Sequence, residues 1–163
     1  MKTPDILLIA PPNEFITKDY LPPLALGYLA SSLLENGYEV QIIDAPAEGL
    51  NPQQVADRIL RINPPFIGIT GNSHVRFKVR DILEYITELD SVKILGGVHF
   101  SSTAEDTLKH LKADKVVEGE GEKLLIDILR GNRDEKIIRG EFLNLNELPW
   151  PARHLFPMKK YEA

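Results

Sequence analysis

The 163-residue chain contains no cysteine. Disulfides, thiolate zinc sites and iron–sulfur ligation by its own side chains are therefore excluded. It also has no apolar run long enough to span a membrane, and the stretch near its start, Asp5-Ile6-Leu7-Leu8-Ile9-Ala10, is too short for the core of a signal peptide. A cytoplasmic protein with no membrane partner is the expectation. A basic stripe is missing as well: the formal net charge is -5, with Lys and Arg scattered among acids. No DNA or RNA partner is expected from such a surface.

What is present is a regular alternation. Asp5 to Ala10 is a continuous apolar run closed by Pro11-Pro12, the pattern of a strand buried on both faces. Glu39 to Asp44, Phe66 to Thr70, Val92 to Leu95 and Asp114 to Val117 read as four more strands, and Lys136-Ile137-Ile138-Arg139 has the makings of a further short one. Helical spacing fills the gaps. It starts at Leu24 after Pro22-Pro23 and stops at Gly37, starts again behind Asn51-Pro52, and recurs over Val75 to Ile86, Ser102 to Leu111 and Lys123 to Leu129. Five strands alternating with five helices predict an α/β doubly wound parallel sheet, flavodoxin-like (Rossmann-like), in the order 2-1-3-4-5. Residues 1–140 make up this domain, and residues 141–163, with no evident cap or strand, are expected to be an extended tail.

In such a sheet ligands bind outside the carboxyl ends of the strands, at the switch between strands one and three. The unusual turns all fall at that edge: Pro11-Pro12-Asn13, Thr70-Gly71-Asn72-Ser73-His74, Gly96-Gly97-Val98-His99 and Glu118-Gly119-Glu120-Gly121. Turns at the opposite edge, Asn36-Gly37 and Asn63-Pro64, are plain helix stops. Small residues at neighbouring strand ends leave room for a large flat molecule, and Gly96-Gly97 is the expected floor of its site. Leu21, Leu24, Val75 and Phe100 flank the proposed cavity, as packing surface for a ligand or as simple core. Asp44 ends the second strand where a ribose-binding acid would stand, but no Gly-x-Gly-x-x-Gly turn precedes it, which disfavours a dinucleotide. Glu118 and Glu120 have no nucleophile beside them and read as ligand-bonding or helix-capping acids.

Several segments together resemble the cobalamin-binding domain found at the N-terminus of radical SAM enzymes. They are Leu21-Pro22-Pro23-Leu24-Ala25-Leu26-Gly27-Tyr28-Leu29-Ala30, Gly37-Tyr38-Glu39-Val40, Ile43-Asp44, Gly96-Gly97-Val98-His99, Val117-Glu118-Gly119-Glu120-Gly121-Glu122 and Leu148-Pro149-Trp150-Pro151-Ala152-Arg153. The resemblance implies bound cobalamin, with its nucleotide tail directed toward Gly96-Gly97 and Glu118-Gly119, and a contact from His99 to the tail or to an amide side chain. Corrinoid mutases carry an Asp-x-His-x-x-Gly loop after strand one whose histidine ligates cobalt. The corresponding loop here, Asn13 to Tyr20, has no histidine. The resemblance implies that bound cobalamin lacks that ligand; His74, at the turn after strand three, is a candidate axial ligand, against a reading as an exposed residue or part of a helix start. The resemblance further implies a radical SAM domain after Arg153, with S-adenosylmethionine and a 4Fe-4S cluster held there, in a methyltransferase or cyclase. This chain has no Cys-x-x-x-Cys-x-x-Cys motif and is expected not to be catalytic by itself. A flavodoxin-like FMN or nucleotide binder and a ligand-free interaction domain are the alternative readings.

Overall fold

A computed structural model describes residues 2–14, 20–140 and 143–161. Its strands are β1 (Ile6–Ala10), β2 (Val40–Asp44), β3 (Phe66–Thr70), β4 (Val92–Gly96), β5 (Lys115–Glu118) and β6 (Ile137–Arg139). All pair in parallel, in the order β2-β1-β3-β4-β5-β6. The expected order is present with one strand added at its end. β6 contributes one buried residue, Ile138, and its exposed Arg139 holds Glu118 of β5 at 2.6 Å. A three-residue edge strand of this kind leaves little apolar pattern to read.

Alternate residues of the strands face opposite sides, so one sheet makes two cores. Leu7, Ile9, Ile67, Ile69 and Leu95 point to one side, where α3 (Pro52–Ile62) and α4 (Arg76–Tyr85) cover them through Val55, Ile59, Val79, Ile82 and Leu83. Ile6, Leu8, Ile94, Val117 and Ile138 point to the other, under α1 (Leu24–Glu35) and α7 (Glu122–Leu129). Local signals place the helix ends. Asn51 and Gln54 form a capping box at the start of α3, each side chain bonded to the other's backbone N–H at 2.9 Å. Among the described residues no helix is long and apolar enough to cross a membrane.

The helix expected from Ser102 to Leu111 is two helices, α5 (Val98–Ser102) and α6 (Ala104–His110), and the first starts directly on Gly97. Thr103 divides them: its hydroxyl bonds back to the carbonyl of His99 at 2.8 Å, competing with the helical ladder. As a result Val98, His99 and Phe100 form a helical turn, with Phe100 turned into the α3/α4 core and Val98 turned out.

The tail also differs from an extended strand of chain. The Ala152 N–H donates to the Gly27 carbonyl at 3.0 Å, and Ala152 and Phe156 are buried in the α1/α7 core. Gly27 permits this approach, since a Cβ there would stand 3.0 Å from Pro151 Cβ. Farther on, the Tyr161 hydroxyl donates to Asp44 Oδ2 at 2.6 Å, while Tyr20 and the Ala47 N–H donate to Oδ1 at 3.0 and 3.2 Å. Asp44, the N-cap of the short helix α2 (Ala45–Glu48), therefore ties the end of the loop after β1 and the C-terminal segment to the end of β2. It is 0% exposed.

Burial raises the Asp44 carboxyl above the ordinary value of 3.8, although its three hydrogen bonds pull the other way. The native protein thus keeps this proton at a pH where the unfolded chain has released it. Stability from that proton is present at acid pH and is lost as pH rises through the window above 3.8. Asp44→Asn has no proton to lose at this site. Melting temperatures of both proteins across roughly pH 4 to 7 should therefore shift in the variant's favour as pH rises. A gap that stays constant with pH would show that Asp44 titrates as it does in the unfolded chain.

Candidate functional site: a glycine-lined crevice at the carboxyl edge

The carboxyl ends of β3 and β4 lie side by side, Thr70 opposite Gly96, and their loops touch backbone to backbone. The Gly71 N–H donates to the Gly96 carbonyl at 3.1 Å, and the His99 N–H donates to the Gly71 carbonyl at 3.3 Å. Gly97 makes this contact possible. Its φ is +91°, and a Cβ on it would stand 2.7 Å from Thr70 Oγ1 and 2.8 Å from the Gly71 oxygen. Gly71 is equally crowded, with Phe100 Cε2 2.6 Å from where its Cβ would be. Gly96 is the exception: nothing lies within 4 Å of its missing side chain.

That space opens into a crevice of about 160 Å³ on the α1/α7 side of the sheet. Leu8, Gly68 and Ile94 form its sheet wall; Ala25, Leu26 and Leu29 of α1 and Leu125 of α7 form the others. Gly68 is narrow by necessity, because a Cβ there would meet Leu8 Cδ2 at 2.9 Å. The rim is Thr70, Gly96, Gly97, Gly119, Glu120 and Gly121, with Glu122 at the start of α7. Gly119 turns at φ +92°, and Gly121 passes so close to Leu29 that a Cβ would stand 2.9 Å from its Cδ2. Burial pushes the Glu122 carboxyl above its ordinary value; backbone N–H groups of Glu122 and Gly121 pull it down, and the Glu120 charge pushes it up.

Of the residues singled out in the sequence, Thr70, Gly96, Gly97, Gly119, Glu120 and Gly121 come together around this crevice. Others stand apart from it. Val75, Gly71 and Phe100 are buried beneath the rim, Phe100 at 0% exposure, so they support the β3 and β4 loops rather than offer a surface. Glu118 points away and is held by Arg139 at 2.6 Å. His99 Nδ1 lies 3.1 Å from Ser73 Oγ, with its ring edge-on to Phe100 at 5.2 Å, joining the two loops. Asn72, Ser73 and His74 are exposed, and Asn72 Oδ1 accepts the His74 N–H at 3.0 Å. Pro12 is buried and Asn13 half-buried at the end of β1, while residues 15–19 of the loop that lacks a histidine lie outside the described residues. Leu21, Leu24 and Val98 are exposed apolar side chains, Leu21 at 71% and Val98 at 83%.

Sequence reasoning passed over Gly68, the α1 wall and Glu122. The small residue in the middle of β3 was the available signal for the first. Among the described residues no group of three or more His, Cys, Asp or Glu side chains is placed to hold a metal ion.

The family model described as "B12 binding domain" matches residues 17–129. The chain belongs to the B12-binding domain family. This B12-binding domain is 33% identical, over its whole length, to an uncharacterized methyltransferase of Pyrococcus horikoshii, of which it covers 41%. It is 31% identical over 66% of its length to the anaerobic magnesium-protoporphyrin IX monomethyl ester cyclase of Rubrivivax gelatinosus, covering 20% of that enzyme. The domain therefore spans less than half of each of these relatives. Its fold is that of solved cobalamin-dependent S-adenosylmethionine radical enzymes. OxsB with aqua-cobalamin bound superposes at a TM-score of 0.81, with 22% identity, over 98% of this chain and 25% of the other. TsrM from Kitasatospora setae, with cobalamin and a [4Fe-4S] cluster bound, gives 0.67, with 22% identity, over 78% and 24%.

The two adjacent glycines should respond differently to a methyl group. Gly97→Ala forces an L-residue to a positive φ against fixed backbone atoms and should cost about 2 kcal/mol or more. Gly96→Ala meets no atom and should leave stability within about 1 kcal/mol of wild type. Urea unfolding of the two variants checks this. Equal losses at both positions would mean that the loop contact at Gly97 is not the tight one.

Proposed function

We propose that this B12-binding domain holds a cobalamin with its corrin ring over the carboxyl edge of the sheet and its nucleotide tail in the crevice between α1 and α7. The observation that carries this is the open space at Gly96, leading into an apolar cavity lined by glycine backbone. Apolar walls with a few polar groups at the mouth suit a flat aromatic base entering from the edge. Leu24 and Val98, each next in sequence to a residue lining the crevice, and Leu21 are exposed apolar side chains available to the corrin. Thr70 and the rim glycines offer hydroxyl and backbone groups to the ring's amide side chains. Cobalt in the bound cofactor would supply the methyl-transfer chemistry.

The loop from Asn13 to Tyr20 has no histidine, so the protein offers no imidazole there. His74, exposed at the β3 turn, is the remaining imidazole we assign as a candidate for the cobalt face. The methyltransferase and cyclase relatives are longer than this chain, which supports its acting as one domain of a radical SAM enzyme. S-adenosylmethionine and the 4Fe-4S cluster would then be bound by the rest of that enzyme, with residues 141–163 leading toward it.

The test is retention of colour. The domain is mixed with hydroxocobalamin, freed of excess cofactor on a desalting column, and its visible spectrum recorded. Wild type should keep a corrin band, and Gly96→Phe, which fills the open space, should lose at least tenfold in affinity while unfolding at an unchanged temperature. Colourless wild-type protein, with millimolar cofactor giving no spectral change, would favour a ligand-free interaction domain. A His74→Ala spectrum identical to wild type removes that imidazole from the cobalt.

A further inference from the structure

One polar atom in the crevice has no partner. Glu122 is only 7% exposed, lines the crevice, and its Oε2 accepts no hydrogen bond among the described residues. Buried carboxyl oxygens are nearly always bonded, and one left alone, where no other buried side-chain oxygen or nitrogen among the described residues lacks a partner, marks a place reserved for something else. The other buried carboxyl, Asp44, shows the contrast, since both of its oxygens are bonded.

Resting on the cobalamin reading, we propose that Glu122 is the residue that recognises the nucleotide tail, its Oε2 accepting a hydrogen bond from an uncharged O–H or amide N–H donor of that tail. The chemistry of the corner selects this class of donor. A phosphate there would face two carboxyls, Glu120 and Glu122, and be repelled. A purely apolar group would leave Oε2 unbonded in the complex. A sugar hydroxyl or an amide N–H meets the requirement, and burial makes the bond more selective than a surface contact. The raised proton affinity of this carboxyl is consistent with this, because it arises from burial that the backbone N–H groups of Glu122 and Gly121 only partly offset.

Glu122→Gln tests the assignment, because it keeps the side chain's shape and places an amide donor in the position of Oε2. Affinities are measured for cobalamin and for cobinamide, the same corrin without its nucleotide tail, with the thermal unfolding of each protein recorded alongside. Wild type should prefer cobalamin, and Glu122→Gln should weaken cobalamin binding tenfold or more while leaving cobinamide binding and the melting temperature unchanged. Glu122→Leu should do the same. Cobalamin binding that is unchanged in both variants overturns the proposal, as does an equal loss for both corrinoids or a loss that follows a lowered melting temperature. Wild-type protein that binds neither corrinoid overturns the cobalamin reading itself, a result visible before any variant is made.

Discussion

The contact of Gly97 with Thr70 and Gly71 is the constraint on which the site depends. Two strand-end loops meet there at distances that exclude even a methyl group, with Gly97 at φ +91°. Because the loops touch, α5 begins at once after β4, and its first turn sends Phe100 under Gly71 and Val98 outward. Because Phe100 is fixed, its edge meets the His99 ring, and His99 reaches Ser73 across the gap between the loops. The rim is thus held from below by core packing, and across the gap by backbone hydrogen bonds and the side-chain link from His99 to Ser73.

The crevice exists because the sheet surface is stripped of side chains where α1 and α7 approach it. Gly68 and Gly96 lie one strand apart, on β3 and β4, and Gly121 lets α7 begin against Leu29 of α1. Larger residues at these positions would close the space that the two helices leave. The opposite face of the same sheet shows what filling looks like: Ile9, Ile69 and Leu95 there are covered by α3 and α4. Two faces of the same sheet differ, one filled and one open, because glycine interrupts the open one.

Much of this was legible in the sequence. Apolar runs closed by Pro11-Pro12, Gly71 and Gly96-Gly97 mark strand ends directly, and the alternation of strands and helices leaves few topologies open. The carboxyl-edge turns were readable as one cluster for the same reason. What stayed hidden depends on three-dimensional neighbours. The break at Thr103 rests on a hydroxyl turning back on a carbonyl, and β6 on a partner strand that offers it Glu118. The tail has no period to betray that it lies across Gly27, and the bond from Tyr161 to Asp44 spans 117 residues. The sequence leaves Phe100 and Val75 open between ligand surface and simple core, and the turn of α5 and the start of α4 put them in the core.

Two buried carboxyls close the comparison between what a fold needs and what a site needs. Both are pushed toward the protonated form by burial. Asp44 answers that cost internally, with two tyrosine hydroxyls and a backbone N–H aimed at its two oxygens, and in doing so fastens two distant segments. Its environment is complete, so nothing more is asked of it. Glu122 sits at the start of α7, where backbone N–H groups favour an acid, but they satisfy only part of it. An acid chosen for the helix alone would stand at the surface, as Glu105 and Asp106 do at the start of α6. Glu122 is instead buried and lines, with Leu125, a cavity floored by glycine, where an unbonded oxygen is a standing cost. A cost of that kind, placed inside the crevice and nowhere else among the described residues, is best explained by a ligand that removes it.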